Sequence, residues 1–139
     1  MKFLLDTCVI SELMAKRPNQ AVIQWIDSVD EDRLYLSVIT IGEIRKGIAK
    51  LADSPRKLAL QEWLSDHLLS RFSDRIVVID TGVMLDWGQL VGNLERLGKP
   101  MPLMDSLIAA IVLRGGFVLV TRNETDFEFA DIRMLNPFK

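Results

Sequence analysis

The opening run Phe3-Leu4-Leu5 ends abruptly at Asp6, and this constrains the chain more than any other feature. A short apolar run of this kind suits a strand buried on both faces, as in the middle of a parallel sheet. A carboxylate at the carboxyl end of such a strand points into the crevice where open α/β folds hold their ligands. Three further segments carry acids to comparable places: Glu43, Asp105 and the turn from Asn123 to Asp126.

Hydrophobic periodicity extends the pattern along the chain. A short helix is expected over Ser11 to Lys16, broken by Arg17-Pro18-Asn19, and Asn19 is placed to cap a second helix through Val22, Trp25 or Ile26, and Val29. Asp30-Glu31-Asp32 reads as a solvated turn. Arg33 to Val38 alternates as a second strand, and a helix from about Thr40 to Ala52 carries the stripe Ile41, Ile44, Ile48 and Leu51, with Glu43 in its first turn. Asp53-Ser54-Pro55 starts another helix that runs to about Arg71. Arg75 to Asp80 is the third strand, and Asp80 or Thr81 caps a helix that Gly98 closes. A helix from about Leu103 to Arg114 feeds a fourth strand, Phe117 to Thr121. Residues 122–130 read as a loop or short turn, and Ile132 to Leu135 as a last edge strand. Strands alternating with helices predict a parallel sheet covered on both faces. At 139 residues, with no internal repeat and no long linker, the chain is read as one domain.

Composition narrows the chemistry. One cysteine and one histidine argue against an ordinary zinc site, so any metal is expected to be held by oxygen, as magnesium or manganese are. The single cysteine fits a reducing compartment. No segment has the roughly 18 unbroken apolar residues of a membrane span, and no signal peptide is evident, so a cytoplasmic protein is expected. A net charge of −2 is not the footprint of a bulk nucleic-acid binder, though it permits a local basic groove and suits a basic protein partner.

Right-handed crossovers bring every strand's carboxyl end to one edge of a parallel sheet. Asp6, Glu43, Asn123 and Asp126 are thereby expected together. Asp105 joins them only where its helix begins at that edge, which periodicity alone does not fix. It does share a helical face with Ile108, Ala109 and Val112, the place for a partly buried acid that wants a cation or hydrogen bonds. Each acid also has a plainer use: Asp6 as a turn former, Glu43 and Asp105 as dipole partners in a first helical turn, Asp126 as a loop acid. Asp80 is most simply a helix cap. Converged carboxylates need a counter-charge, which magnesium provides while activating water toward a phosphodiester. Arg45, Lys46, Lys99 and Arg122 are candidates for the flanking phosphates or are ordinary surface charges.

Leu4-Leu5-Asp6-Thr7, the segment Ser37 to Ile44, the helix Met104 to Ala110, and Val120 to Phe127 together resemble the PIN-domain family, and within it the VapC-type ribonuclease toxins of type II toxin–antitoxin pairs. The resemblance spans essentially the whole chain. It implies a three-layer α/β/α fold with a central parallel sheet and a Mg2+- or Mn2+-dependent endoribonuclease. It also implies a homodimer and a cognate VapB-type antitoxin whose C-terminal segment blocks the site. By motif match, Asp6, Glu43 and Asp105 take the metal-holding positions. The fourth falls to Asn123, where relatives often have aspartate, or to Asp126 three residues on. Thr7 and Thr121 are implied to steady the carboxylates or the metal's waters. Cys8 departs from the asparagine of many relatives and reads as a small packing group. Trp25, Trp63 and Trp87 read as core or dimer contacts rather than bases for stacking RNA.

Three rival readings fit less well. A phosphoacceptor receiver module wants adjacent acids after strand one, and Asp6-Thr7 is not such a pair, although Asp80 matches its acceptor. A haloacid-dehalogenase-type phosphatase wants an aspartate where Cys8 stands. A degenerate PIN-like domain that only binds RNA or a protein draws on Asn123 and Cys8 alone.

Overall fold

The computed structural model describes all 139 residues, Met1–Lys139. Five short strands, β1 (Phe3–Leu5), β2 (Leu34–Ser37), β3 (Ile76–Val77), β4 (Val118–Val120) and β5 (Met134–Leu135), form one sheet in the order β3-β2-β1-β4-β5. Every pairing is parallel. The chain steps outward from β1 to β2 and β3, then returns across the sheet to place β4 on the other side of β1. The strand order therefore reverses between β1 and β4, the switch point at which open α/β sheets leave a crevice. Leu5 pairs with Val120 there, and the Asp6 N–H donates to the Val120 carbonyl at 3.0 Å.

Seven helices flank the sheet: α1 (Thr7–Leu13), α2 (Gln20–Ser28), α3 (Val38–Ala49), α4 (Pro55–Glu62), α5 (Leu69–Arg71), α6 (Thr81–Arg96) and α7 (Leu103–Gly115). Period-two alternation along the strands divides the core into two layers. Phe3 and Leu5 of β1 and Val118 and Val120 of β4 face a cluster with Val9, Ile10, Val22, Ile26, Ile44 and Ile48. Leu4 and Leu119 face the other cluster, built on α7 from Ile108 to Val112 with Phe127 and Ala130. The fold is the expected three-layer α/β/α arrangement. No helix is long and apolar enough to cross a membrane.

Side-chain caps start most helices where the sequence breaks. Asn19 accepts from the Val22 N–H, Ser37 from Thr40, Ser54 from Lys57 and Asp80 from Val83. Each satisfies an amide that has no partner within the helix. Asp80 is thus engaged as the cap of α6.

Several boundaries differ from the sequence-based expectation. The first helix begins at Thr7, not Ser11, because Asp6 is itself its N-cap and accepts the Thr7 N–H at 2.8 Å. The strand turns into the helix with no intervening loop. The third strand ends at Val77 rather than Asp80, since β3 is an edge strand whose only neighbour, β2, stops at Ser37 opposite Val77. The 122–130 loop contains a 3-10 segment, Glu124–Ala130, anchored by buried Phe127 and Ala130. A π-helical stretch, Trp63–Leu68, joins α4 to α5. Leu60, Leu64, Leu68 and Phe72 are all buried and recur every four residues, a spacing that drifts by about 40° per step on an α-helix. Widening the turn keeps them on one face. The tryptophans pack inward: Trp25 meets Phe3 edge-on at 5.1 Å, Trp63 lies against the first cluster, and the Trp87 indole N–H donates to Ser106 Oγ at 2.9 Å.

Candidate active site

The site is built around Asp6, at the end of the central strand and 7% exposed. Both carboxylate oxygens are held. Oδ1 accepts the Thr7 N–H, and Oδ2 accepts the Thr121 hydroxyl at 2.8 Å, across the β1–β4 switch point. Thr121 is fully buried and is itself fixed by the Asn123 N–H, which donates to its Oγ1 at 3.0 Å. The Cys8 thiol lies 3.9 Å from Asp6 Oδ2 and 3.6 Å from Thr121 Oγ1. Burial pushes the Asp6 carboxyl above its ordinary range. The Thr121 and Thr7 hydrogen bonds oppose that shift, and the charge of Glu43 adds to it. Burial likewise raises the Cys8 thiol.

Glu43 projects from the first half of α3, exposed to solvent, with its Oε1 accepting the Thr7 hydroxyl at 2.6 Å. It lines two clefts. One, of about 360 Å³, lies between α1, α3 and α4 and is shared with Thr7, Ser11 and Arg56. The other, of about 330 Å³, is shared with Lys46 and Met104, the residue before Asp105.

Asp105, half-buried in the first turn of α7, lies at the same edge. Its carboxyl is raised by burial and then by the charges of Asp126, Asp6 and Glu43. Its helix-face partners Ile108, Ala109 and Val112 are all buried. No hydrogen bond contributes to its shift, so it is a carboxylate surrounded by like charge without a donor.

Asp126 thus shares this field, exposed on the 3-10 segment. Asn123 enters through its backbone, while its side chain is exposed and makes no hydrogen bond. The acids are neighbours rather than a closed cage: no three Asp, Glu, His or Cys groups surround one point closely enough to ligate an ion together. The basic candidates divide. Lys46 shares a cleft with Glu43, and Arg122 directly follows Thr121 and stacks on the Phe138 ring at 5.1 Å. Lys99 lies over Phe129, and Arg45 borders a cavity with Gln61 and Leu64 of the α4 region instead of the acids.

Thr40 was not singled out by the sequence reading. It is buried, and its Oγ1 is 3.2 Å from Thr7 Oγ1. The available signal was its place three residues before Glu43, one turn back on the same helix face.

A family model of the PIN domain matches residues 3–133. The chain is 38% identical to the plasmid stability protein StbB of Pseudomonas syringae pv. tomato, over 98% of each chain. It is 34% identical to the VapC ribonuclease Y4jK of Sinorhizobium fredii, over 98% of this chain and 97% of that one. Its fold superposes on the crystal structure of FitAcB from Neisseria gonorrhoeae with a TM-score of 0.92, at 35% identity and 98% coverage of both chains. The DNA-bound VapBC structure from Salmonella typhimurium is similar at a TM-score of 0.80 and 28% identity, over 99% of this chain and 98% of that one. A match spanning nearly the whole chain, with its acids gathered at the carboxyl edge of a parallel sheet, leads to one assignment: the chain belongs to the PIN-domain family.

Proposed function

We propose that this protein is a Mg2+- or Mn2+-dependent endoribonuclease, the toxin of a VapBC-type toxin–antitoxin pair, acting in the cytoplasm as a homodimer. The observation that carries the reading is Asp105: a carboxylate with no donor, raised by burial and by three neighbouring acids. Such a group wants a cation. The donor set is all oxygen, which fits a hard divalent ion. Its open spacing suits magnesium, which keeps several waters and takes one or two carboxylates.

When bound, the ion supplies the counter-charge, acidifies a water and stabilises the leaving oxygen of a phosphodiester. The chain's residues have separable tasks. Asp6 is held by both oxygens, each of which keeps further acceptor capacity. Glu43 is held through Oε1, leaving Oε2 free. Asp105 brings an unengaged carboxylate, and Asp126 adds charge beside it, with Asn123 as a neutral oxygen donor. Lys46 and Arg122 flank this edge and are suited to the phosphates on either side of the cut. Cleavage by this route leaves a 5′-phosphate and a 3′-hydroxyl. The VapC ribonuclease relative supports the RNA substrate, and likeness to a VapBC complex supports a VapB-type antitoxin.

The test is cleavage of total and transfer RNA by purified, antitoxin-free protein with magnesium or manganese. A chelator control and the Asp6→Asn, Asp105→Asn double variant run alongside. Discrete fragments that disappear with chelator and in the variant support the reading. Cleavage that survives the double substitution places the activity elsewhere, and folded protein that cuts no RNA refutes it.

A further inference from the structure

The Thr7 hydroxyl lies between two oxygens, Glu43 Oε1 at 2.6 Å and Thr40 Oγ1 at 3.2 Å. A hydroxyl has one proton to give. The carboxylate only accepts, and the short distance marks a charge-assisted bond, so Glu43 takes the larger share of the Thr7 proton. The same hydroxyl is directed at Thr40 Oγ1, the longer arm of a shared bond. Thr40 is 1% exposed and its backbone N–H is given to Ser37 Oγ, so its hydroxyl is a fixed acceptor behind Thr7. A buried polar group left without a partner is costly, so the Thr7 hydroxyl is held between Thr40 and Glu43. Glu43 is otherwise an exposed side chain with rotamer freedom to lose.

We propose that Thr40 is a positioning residue of the acidic site: its buried hydroxyl orients Thr7 and, through Thr7, sets the Glu43 carboxylate in place. The inference rests on the reading that Glu43 helps to hold a divalent cation. Thr40 reaches the site only through Thr7.

The test measures Mn2+ binding by calorimetry on purified, antitoxin-free protein, which reads the site without requiring turnover. The variants are Thr40→Val, Thr40→Ser, Thr7→Val and the Thr7→Val, Thr40→Val double. Removing a partner behind a metal ligand typically costs about 10–100-fold in affinity. One bond further out, Thr40→Val is expected to weaken Mn2+ binding roughly three- to tenfold, with Thr40→Ser near the parent. In the Thr7→Val background, Thr40→Val should change nothing further, because its route to Glu43 is already cut. Should Thr40→Val fail to fold, Thr40→Ala carries the same expectation. Unchanged binding in Thr40→Val, or a loss that persists in the Thr7→Val background, overturns the inference, since Thr40 then acts by packing or not at all. A parent protein that binds neither Mn2+ nor Mg2+ refutes the metal reading itself and the inference with it.

Discussion

Replacing Asp105 with asparagine should stabilise the metal-free protein at neutral pH while abolishing the activity proposed for it. Asparagine has nearly the same shape and removes the charge. The carboxyl is raised by burial and by Asp126, Asp6 and Glu43, and no hydrogen bond compensates it. A group that holds its proton more tightly folded than unfolded makes folding less favourable as pH rises from its ordinary value of 3.8 through the raised one. Below that window both states are protonated and the penalty is absent; above it the penalty is complete. Asp105 is only half-buried, so water and salt screen the repulsion, leaving roughly 0.5–1 kcal/mol at neutral pH. For a chain of this size that is about 2–4 °C in melting temperature. Divalent metal should invert the order. At tenfold excess over its dissociation constant, an ion adds about 1.4 kcal/mol to the protein that binds it, and the variant lacks one of the proposed ligands. The assay is thermal melting of both proteins in chelator and in excess Mn2+, repeated at pH 3 and pH 7.5. An Asp105→Asn variant that melts below the parent in chelator at pH 7.5 would refute the argument, as would a stabilisation that persists undiminished at pH 3.

Thr121→Val should remove a hydrogen bond to a buried carboxylate, costing about 1.5–3 kcal/mol in denaturant unfolding at neutral pH and lowering cleavage sharply, since Asp6 Oδ2 loses its O–H donor. Arg122→Ala, measured for RNA binding in the Asp6→Asn, Asp105→Asn background, should lower the salt dependence by about 0.7 of a charge, the value for one phosphate contact on a single strand; an unchanged slope would remove Arg122 from the RNA path. Arg75→Met should cost about 3–5 kcal/mol in chemical denaturation, because the buried guanidinium donates to the carbonyls of Glu31, Leu34 and Arg71 and pairs with Glu31, and its loss leaves those acceptors empty.

The layer order, the rough strand positions and the edge that gathers the acids were legible from runs ending in Asp6, Val38 and Thr121. Each strand is short and buried, and parallel pairing then dictates which ends meet. Periodicity showed Asp105 only as a misplaced charge on an apolar helix face, because it gives a helix its phase and not its starting point in space; the motif match placed it with the other acids. The early start of α1 was missed because Asp6 serves as strand end, cap and candidate ligand at once. The Thr7–Thr40 contact was missed for a related reason. Thr7 and Thr40 are 33 residues apart, and only the packing of α1 on α3 makes them partners. Asn123 was weighed as a side-chain ligand; its backbone N–H also holds Thr121 Oγ1, a contact that no residue identity reveals.

The central position of β1 has a consequence for when, during synthesis, the proposed activity can appear. Phe3–Leu5 leaves the ribosome well before one of its two neighbours, β4, whose first residue is Val118. Until that strand arrives, β1 has an open edge, Asp6 lacks both the Val120 carbonyl and the Thr121 hydroxyl, and Asp105 and Asp126 have no framework on which to approach it. Contacts so distant along the chain form late and slowly. A nascent or prematurely terminated chain that stops before Val118 therefore carries Asp6, Glu43 and Asp105 without a site, so synthesis itself delays the proposed activity until β4 has emerged.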